Sequence, residues 1–212
     1  MKNKLVDLTV KEFLDKSAGN DPVPGGGSVS AFYGAIASSL ASMVGGLTVG
    51  KKKYLEYNDV MEDIIKCMET YQQDFLTLID KDSDAYDKVF NCFKMPKETD
   101  EEKAKRSQAI QESTLYAAEV PLEVAKKALE IMDIIETVVK HGNQNAVTDG
   151  CIAMMSARNA VLGAALNVRI NLGGLKDTAK AKELENEVLA LETKAIEREE
   201  VLRSQVTKDL YI

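Results

Sequence analysis

The chain has 212 residues, 45% of them apolar and 29% charged, enough for one well-cored domain and too apolar for wholesale disorder. Its 27 Lys and Arg against 34 Asp and Glu leave a net charge of −7, which argues against a nucleic-acid binder held by phosphate contacts. Aromatics are scarce at 6%, Trp is absent, and Val, Ile and Thr form no alternating runs, so an all-β protein is excluded in favour of helices.

In chain order, Met1–Phe13 mixes charges with its first apolar residues and lacks the continuous apolar stretch of a signal peptide. Thr9 and Glu12 have the spacing of a capping box, which predicts a short helix ending near Gly19-Asn20. Asp21 to Gly27 is punctuated by Pro and Gly and reads as a non-helical loop, with Ser28 the expected N-cap of a helix running towards Val49. That second helix is nearly stripped of side-chain bulk: Ala31, Gly34, Ala35, Ala37, Ser38, Ala41, Ser42 and Gly45. Gly costs about 1 kcal/mol against Ala inside a helix, so close approach of a backbone or a ligand must offset it. Gly25 to Gly50 carries no charge, but its Ala, Ser and Gly content suits a buried soluble helix better than a membrane span.

From Val60 an apolar stripe through Met61, Ile64, Met68, Phe75 and Leu78 predicts a long helix to Phe93, stopped by Pro96. Thr99 to Glu102 opens the next helix, which Pro121 kinks or divides and which runs to His141-Gly142. After the loop Gly142 to Asn145, a second small-residue helix spans about Thr148 to Leu172. A final amphipathic helix follows Gly173-Gly174 and carries Leu184, Val188, Leu191 and Ala195. The expectation is one domain over 1–212, an all-α, up-and-down-like helical bundle with two buried small-residue helices.

Several features bear on chemistry. Gly45 to Lys52 nearly matches the phosphate-binding loop, but Lys52 stands where Ser or Thr would hold magnesium, and a helix rather than a strand precedes it. A glycine helix stop and a basic turn, Lys51-Lys52-Lys53, explain the run instead. His141 is the only histidine and reads as a helix end; no Glu-x-x-His pair exists for a di-iron site, and no metal is expected. Cys67, Cys92 and Cys151 form no close pair, so neither a disulfide framework nor a zinc knuckle is signalled and a reducing cytoplasm fits.

Asp80, Asp82 and Asp84 lie within five positions of a helix, where Asp is a poor residue. Asp80 and Asp84 share a face and Asp82 lies opposite, so either this is a solvated acidic face or one carboxylate is turned inward with a raised pKa, fit to trade protons near neutral pH. Asn145, Thr148 and Asp149 precede the second small-residue helix and suit caps. Asn167 and Asn171, four apart on an apolar helix, need partners if buried: other helix ends or a hydrogen-bonding heterocycle.

The run Pro22-Val23-Pro24-Gly25-Gly26-Gly27-Ser28-Val29-Ser30-Ala31 resembles the hallmark of the cyclodeaminase/cyclohydrolase family of folate enzymes. Similar too are Asp80-x-Asp82-x-x-Ala85-Tyr86 followed by Met95-Pro96-Lys97, then Val120-Pro121-Leu122, and Gly142-Asn143 through Asn145 and Asp149 to Asn167-Val168-x-Ile170-Asn171-Leu172. The likeness runs from Leu5 to about Arg203. It implies a helical homodimer acting on one-carbon units of tetrahydrofolate, without metal, nucleotide, nucleic acid or membrane.

The implied reaction is cyclisation of 5-formimidoyltetrahydrofolate to 5,10-methenyltetrahydrofolate with loss of ammonia; the alternative is methenyltetrahydrofolate cyclohydrolase. The family's essential aspartate falls on Asp82, with Asp80 matching almost as well. Gly25, Gly26, Gly27, Ser28, Asn145, Asp149, Asn167 and Asn171 are the implied substrate-binding residues. From charge alone, Lys51 to Lys53 would receive the glutamate tail of the folate. A reading of another class is a non-catalytic helical scaffold, in which the glycines serve packing only.

Overall fold

The computed structural model describes residues 4–210; Met1–Asn3 of the N-terminal stretch, Tyr211 and Ile212 lie outside the described residues. Six α-helices occur among the described residues: α1 (Val10–Ser17), α2 (Gly26–Gly46), α3 (Asn58–Phe93), α4 (Asp100–His141), α5 (Val147–Leu172) and α6 (Thr178–Leu210). Short 3-10 turns lie at Leu5–Asp7, Lys52–Tyr57 and Gln144–Ala146, and no strand occurs among the described residues, so the all-α expectation holds.

The two capping boxes explain two helix starts. The Thr9 hydroxyl accepts from the Glu12 N–H while Glu12 reaches back to the Thr9 N–H, and Thr99 with Glu102 repeats the arrangement for α4. Pro121 neither ends nor divides α4, which stays one helix of 42 residues with Pro121 buried. The start of α2 departs from expectation: Gly25 is the N-cap, Gly26 and Gly27 are already helical, and Ser28 caps nothing. Glycine can enter a helix when a packed neighbour fills the space its side chain would occupy.

That exchange runs along α2. A Cβ on Gly34 would sit 2.5 Å from the Phe75 ring, and the Phe75 side chain is fully buried there. Burying such a ring is worth about 1.5–3 kcal/mol, more than the roughly 1 kcal/mol glycine costs. A Cβ on Gly163 of α5 would strike the Ser30 hydroxyl, and one on Gly26 would lie 2.9 Å from the Asn167 amide. At the other end the Asn143 N–H donates to the Thr48 hydroxyl. Residues 26, 30 and 48 thus meet 167, 163 and 143, so α2 and α5 lie antiparallel and close. Both are long and apolar enough to cross a membrane by length and composition, yet about half of each lies buried in the bundle, 50% and 56%. The long helices α3 and α4 complete the core with Met61, Met68, Ile131, Met132 and Ile135.

Candidate active site

Asp82 projects from α3 at the first turn of α2. Gly25 supplies α2 with no side-chain cap, and Asp82 takes that place from across the bundle. The Ser28 hydroxyl donates to Asp82 Oδ2 at 2.9 Å, and the Ser28 N–H holds the same carboxyl. The space comes from Gly27: a Cβ there would lie 2.5 Å from Asp82 Cγ. Without a glycine at 27, the carboxyl could not occupy its position.

Burial pushes the Asp82 carboxyl above the ordinary carboxylate range, and the two Ser28 hydrogen bonds pull it back only in part. The Ser28 hydroxyl also lies 3.1 Å from the Ile79 carbonyl oxygen. With one hydrogen it can donate to Ile79 and accept from a neutral Asp82, or turn and donate to an ionised one. The pair therefore accommodates both protonation states without moving a heavy atom, as a group that gives and retakes a proton requires.

Asp82 borders a cleft of about 340 Å³, walled by Pro22, Val23 and Gly25–Gly27, by Ala85, Tyr86 and Val89 of α3, by Ala117 of α4, and by Asn167, Ile170 and Asn171 of α5. The N–H groups of Gly26 and Gly27 precede the first helical bond of α2, from the Val29 N–H to the Gly25 carbonyl, and are donors at the positive end of a helix. The Asn167 amide donates to the Gly163 carbonyl, and that of Asn171 to the Ala117 and Asn167 carbonyls. Both side-chain oxygens are left as acceptors. Pro121 has no N–H for the Ala117 carbonyl one turn earlier, and Asn171 supplies the donor. The Val120-Pro121-Leu122 and Asn167-to-Leu172 segments are thereby one device holding the cleft wall.

Of the residues singled out from sequence, Gly25, Gly26, Gly27, Ser28, Asp82, Asn167 and Asn171 meet here. Asp80 does not: it accepts the Leu5 N–H at 2.7 Å and, with Asp84, lines a groove of about 630 Å³ on another face of α3. Asn145 and Asp149 lie at the opposite end of α5, about 27 Å of helix from Asn167. They are no caps either, since Ala146 holds the N-cap position without a side-chain bond. Lys51–Lys53 stand equally far away, beyond the C-terminal end of α2. His141 ends α4 and stacks on Tyr57, ring centroids 4.5 Å apart.

Val89 and Ala117 are cleft residues that sequence reasoning missed. Counting three, four and seven positions on from Asp82 reaches Ala85, Tyr86 and Val89 on one helical face, so that wall was within reach of periodicity. Ala117 had no local signal. Among the described residues no group of three or more His, Cys, Asp or Glu is placed to hold a metal ion.

Known proteins resemble this chain over most of its length. The family profile described as formiminotransferase-cyclodeaminase matches residues 9–190. A methenyltetrahydrofolate cyclohydrolase of Methylorubrum extorquens is 40% identical over 175 residues, covering 82% of this chain and 84% of its own. The formimidoyltransferase-cyclodeaminase of Rattus norvegicus is 31% identical over 82% of this chain, which spans only 32% of that longer protein. The crystal structure of formiminotetrahydrofolate cyclodeaminase from Thermotoga maritima superposes with a TM-score of 0.85 at 28% identity, covering 96% of this chain and 98% of that one.

Proposed function

The chain belongs to the formiminotransferase-cyclodeaminase family and is an enzyme of folate one-carbon chemistry, and on that premise we propose that it converts 5-formimidoyltetrahydrofolate to 5,10-methenyltetrahydrofolate and ammonia, with Asp82 as the proton-transfer group. The observation that carries this reading is a single carboxyl, raised by burial, in a cleft lined by helix-start N–H donors and two asparagine acceptors. A pterin presents both donors and acceptors at its edge, which suits such a lining.

One carboxyl suffices for the proton balance. The formimidoyl group enters protonated, as an amidinium; N10 attacks its carbon, giving a tetrahedral centre with a protonated N10 and a neutral amine. Neutral Asp82 protonates the amine, ammonia leaves, and the carboxylate takes the N10 proton, so the acid is regenerated. Such a group contributes about a hundredfold to ten-thousandfold, and holding N10 against the carbon contributes more. Because the acid form starts the cycle, turnover falls as pH rises through the raised carboxyl pKa. No metal or nucleotide enters this scheme. The working form is a homodimer in the cytoplasm, where the three free cysteines suit a reducing compartment.

A second reading, hydrolysis of the methenyl carbon, is favoured by the 40% identity to a cyclohydrolase. There the carboxylate takes a proton from the water attacking the methenyl carbon and returns it to N5 as the C–N5 bond breaks, and the remaining hydroxyl proton leaves to solvent as the formyl C=O forms. Purified protein given each folate separates the two. Methenyl absorbance and ammonia appearing from the formimidoyl substrate support the first. Loss of methenyl absorbance alone supports the second. A folded protein inactive on both refutes the assignment.

A further inference from the structure

We infer, resting on the folate function proposed above, that the tail of the substrate leaves the Asp82 cleft along α3: its aminobenzoyl ring stacks on Tyr86 and Phe90, and Lys16 and Lys94 receive its glutamate carboxylates. The cleft is about 340 Å³, and its lining carries one carboxyl and no Lys or Arg. Sites that enclose a drug-sized ligand run from about 300 to 1,000 Å³, so this one lies near the lower bound. It suits the pterin and the reacting carbon and leaves the rest of the substrate unhoused.

The space continues past Tyr86. Pro22, Val23 and Tyr86 also wall a second hollow of about 280 Å³, to which α1 adds Lys16 and α3 adds Phe90. Tyr86 and Phe90, one turn apart, have ring centroids 6.3 Å apart and planes 12° from parallel. They stand 42% and 49% exposed in a chain where aromatics are only 6% of residues. Aromatic rings are the largest apolar surface a core can use, and these two are spent at the mouth of a cleft. Two near-parallel rings open to solvent there make a platform for a third flat ring.

The order of groups along α3 matches the order in the substrate. Tyr86 and Phe90 lie about 6 and 12 Å along the helix from Asp82. In the substrate the aminobenzoyl ring is bonded directly to N10, one of the reacting atoms, and the glutamate leaves from the far side of that ring. With N10 at Asp82, the ring falls beside Tyr86 and the carboxylates fall beyond it, by Phe90. Cations stand there. Lys94 Nζ lies 4.1 Å from the Phe90 ring centroid, and the half-buried Lys16 lines the hollow. Asp21 and Asp87 share that lining, and the two lysines keep the hollow from repelling an anion.

Equilibrium binding tests this without turnover. The probes are 5-formyltetrahydrofolate, in which oxygen replaces the formimidoyl nitrogen, and a truncated form of it that ends in a plain benzamide and lacks the glutamate. Wild type should bind the whole folate about fivefold more tightly than the benzamide, the scale of half-exposed ion pairs. Lys16→Glu should abolish that preference by weakening the whole folate rather than by tightening the benzamide. Tyr86→Ala should weaken both probes about tenfold, and Tyr86→Phe, which keeps the ring, should restore both. Equal binding of the two probes by wild type, a preference that survives Lys16→Glu, or a folded Tyr86→Ala that binds both as wild type does overturns the subsite. So does a Lys52→Glu variant that loses the preference in place of Lys16→Glu. A wild type that binds neither probe refutes the folate function itself. One that shows the expected preferences but turns over neither folate refutes the reaction alone, and the subsite stands.

Discussion

Asp80 and Asp82 stand two residues apart on α3 and face different worlds. Asp80 looks onto the wider groove, some 630 Å³, beside Lys81, Asp84 and Lys88, where its visible task is to hold the Leu5 N–H. Asp82 occupies a cleft about half that size, pressed against the glycine start of α2 and raised by burial. The difference lies in desolvation and partners rather than cavity size: the carboxyl in the smaller cleft is the one that burial raises.

The largest way to break the contrast is to move Asp82 without touching it. Gly27→Val puts a side chain where the carboxyl sits, and turnover should fall at least a hundredfold. Circular dichroism should stay helical, because α2 keeps its partners along the rest of its length. Near-normal turnover would show that the Asp82 position is unimportant.

Ser28→Ala sharpens the comparison. It removes the hydroxyl that opposes burial, so the Asp82 carboxyl should rise further and the alkaline limb of the pH profile should move up. Turnover should fall about tenfold or less, the scale of one neutral hydrogen bond. An unmoved limb would mean that another group sets the profile.

The start of α2 is also where the sequence was least legible. Asp21 to Gly27 has the composition of a loop, and Ser28 that of a cap. Local chemistry could not show that a carboxylate 54 positions later would cap the helix and fill the space of Gly27. The helices themselves were readable, because capping boxes and apolar stripes are local. Resemblance brought Asp80 and Asp82 forward together, and periodicity put them on opposite faces. Which face is buried depended on the packing of α2 against α3. That Pro121 would not divide α4 was hidden for a similar reason, since the donor to the carbonyl it frees is Asn171 on another helix.

A smaller effect is thermodynamic. A carboxyl raised by burial binds its proton more tightly folded than unfolded, so stability is lost as pH rises from the ordinary carboxylate range through the raised value. Asp82→Asn carries no such cost. Its melting temperature should exceed that of wild type by on the order of a few degrees at neutral pH, with the gain vanishing under acid conditions. A lower melting temperature at neutral pH would show that the charge is stabilising. Smallest of all, Asp80→Ala should cost about 1 kcal/mol by freeing the Leu5 N–H, with turnover unchanged. A fall in turnover would bring the wide groove into the chemistry.

The most direct test sets the two aspartates side by side. The measurement is formation of the methenyl chromophore from 5-formimidoyltetrahydrofolate by Asp82→Asn and Asp80→Asn, each confirmed as folded and folate-binding. Asp82→Asn should bind folate and lose a hundredfold to ten-thousandfold in turnover, and Asp80→Asn should stay within a few-fold of wild type. Near-normal turnover by Asp82→Asn, with Asp80→Asn inactive, would contradict the account.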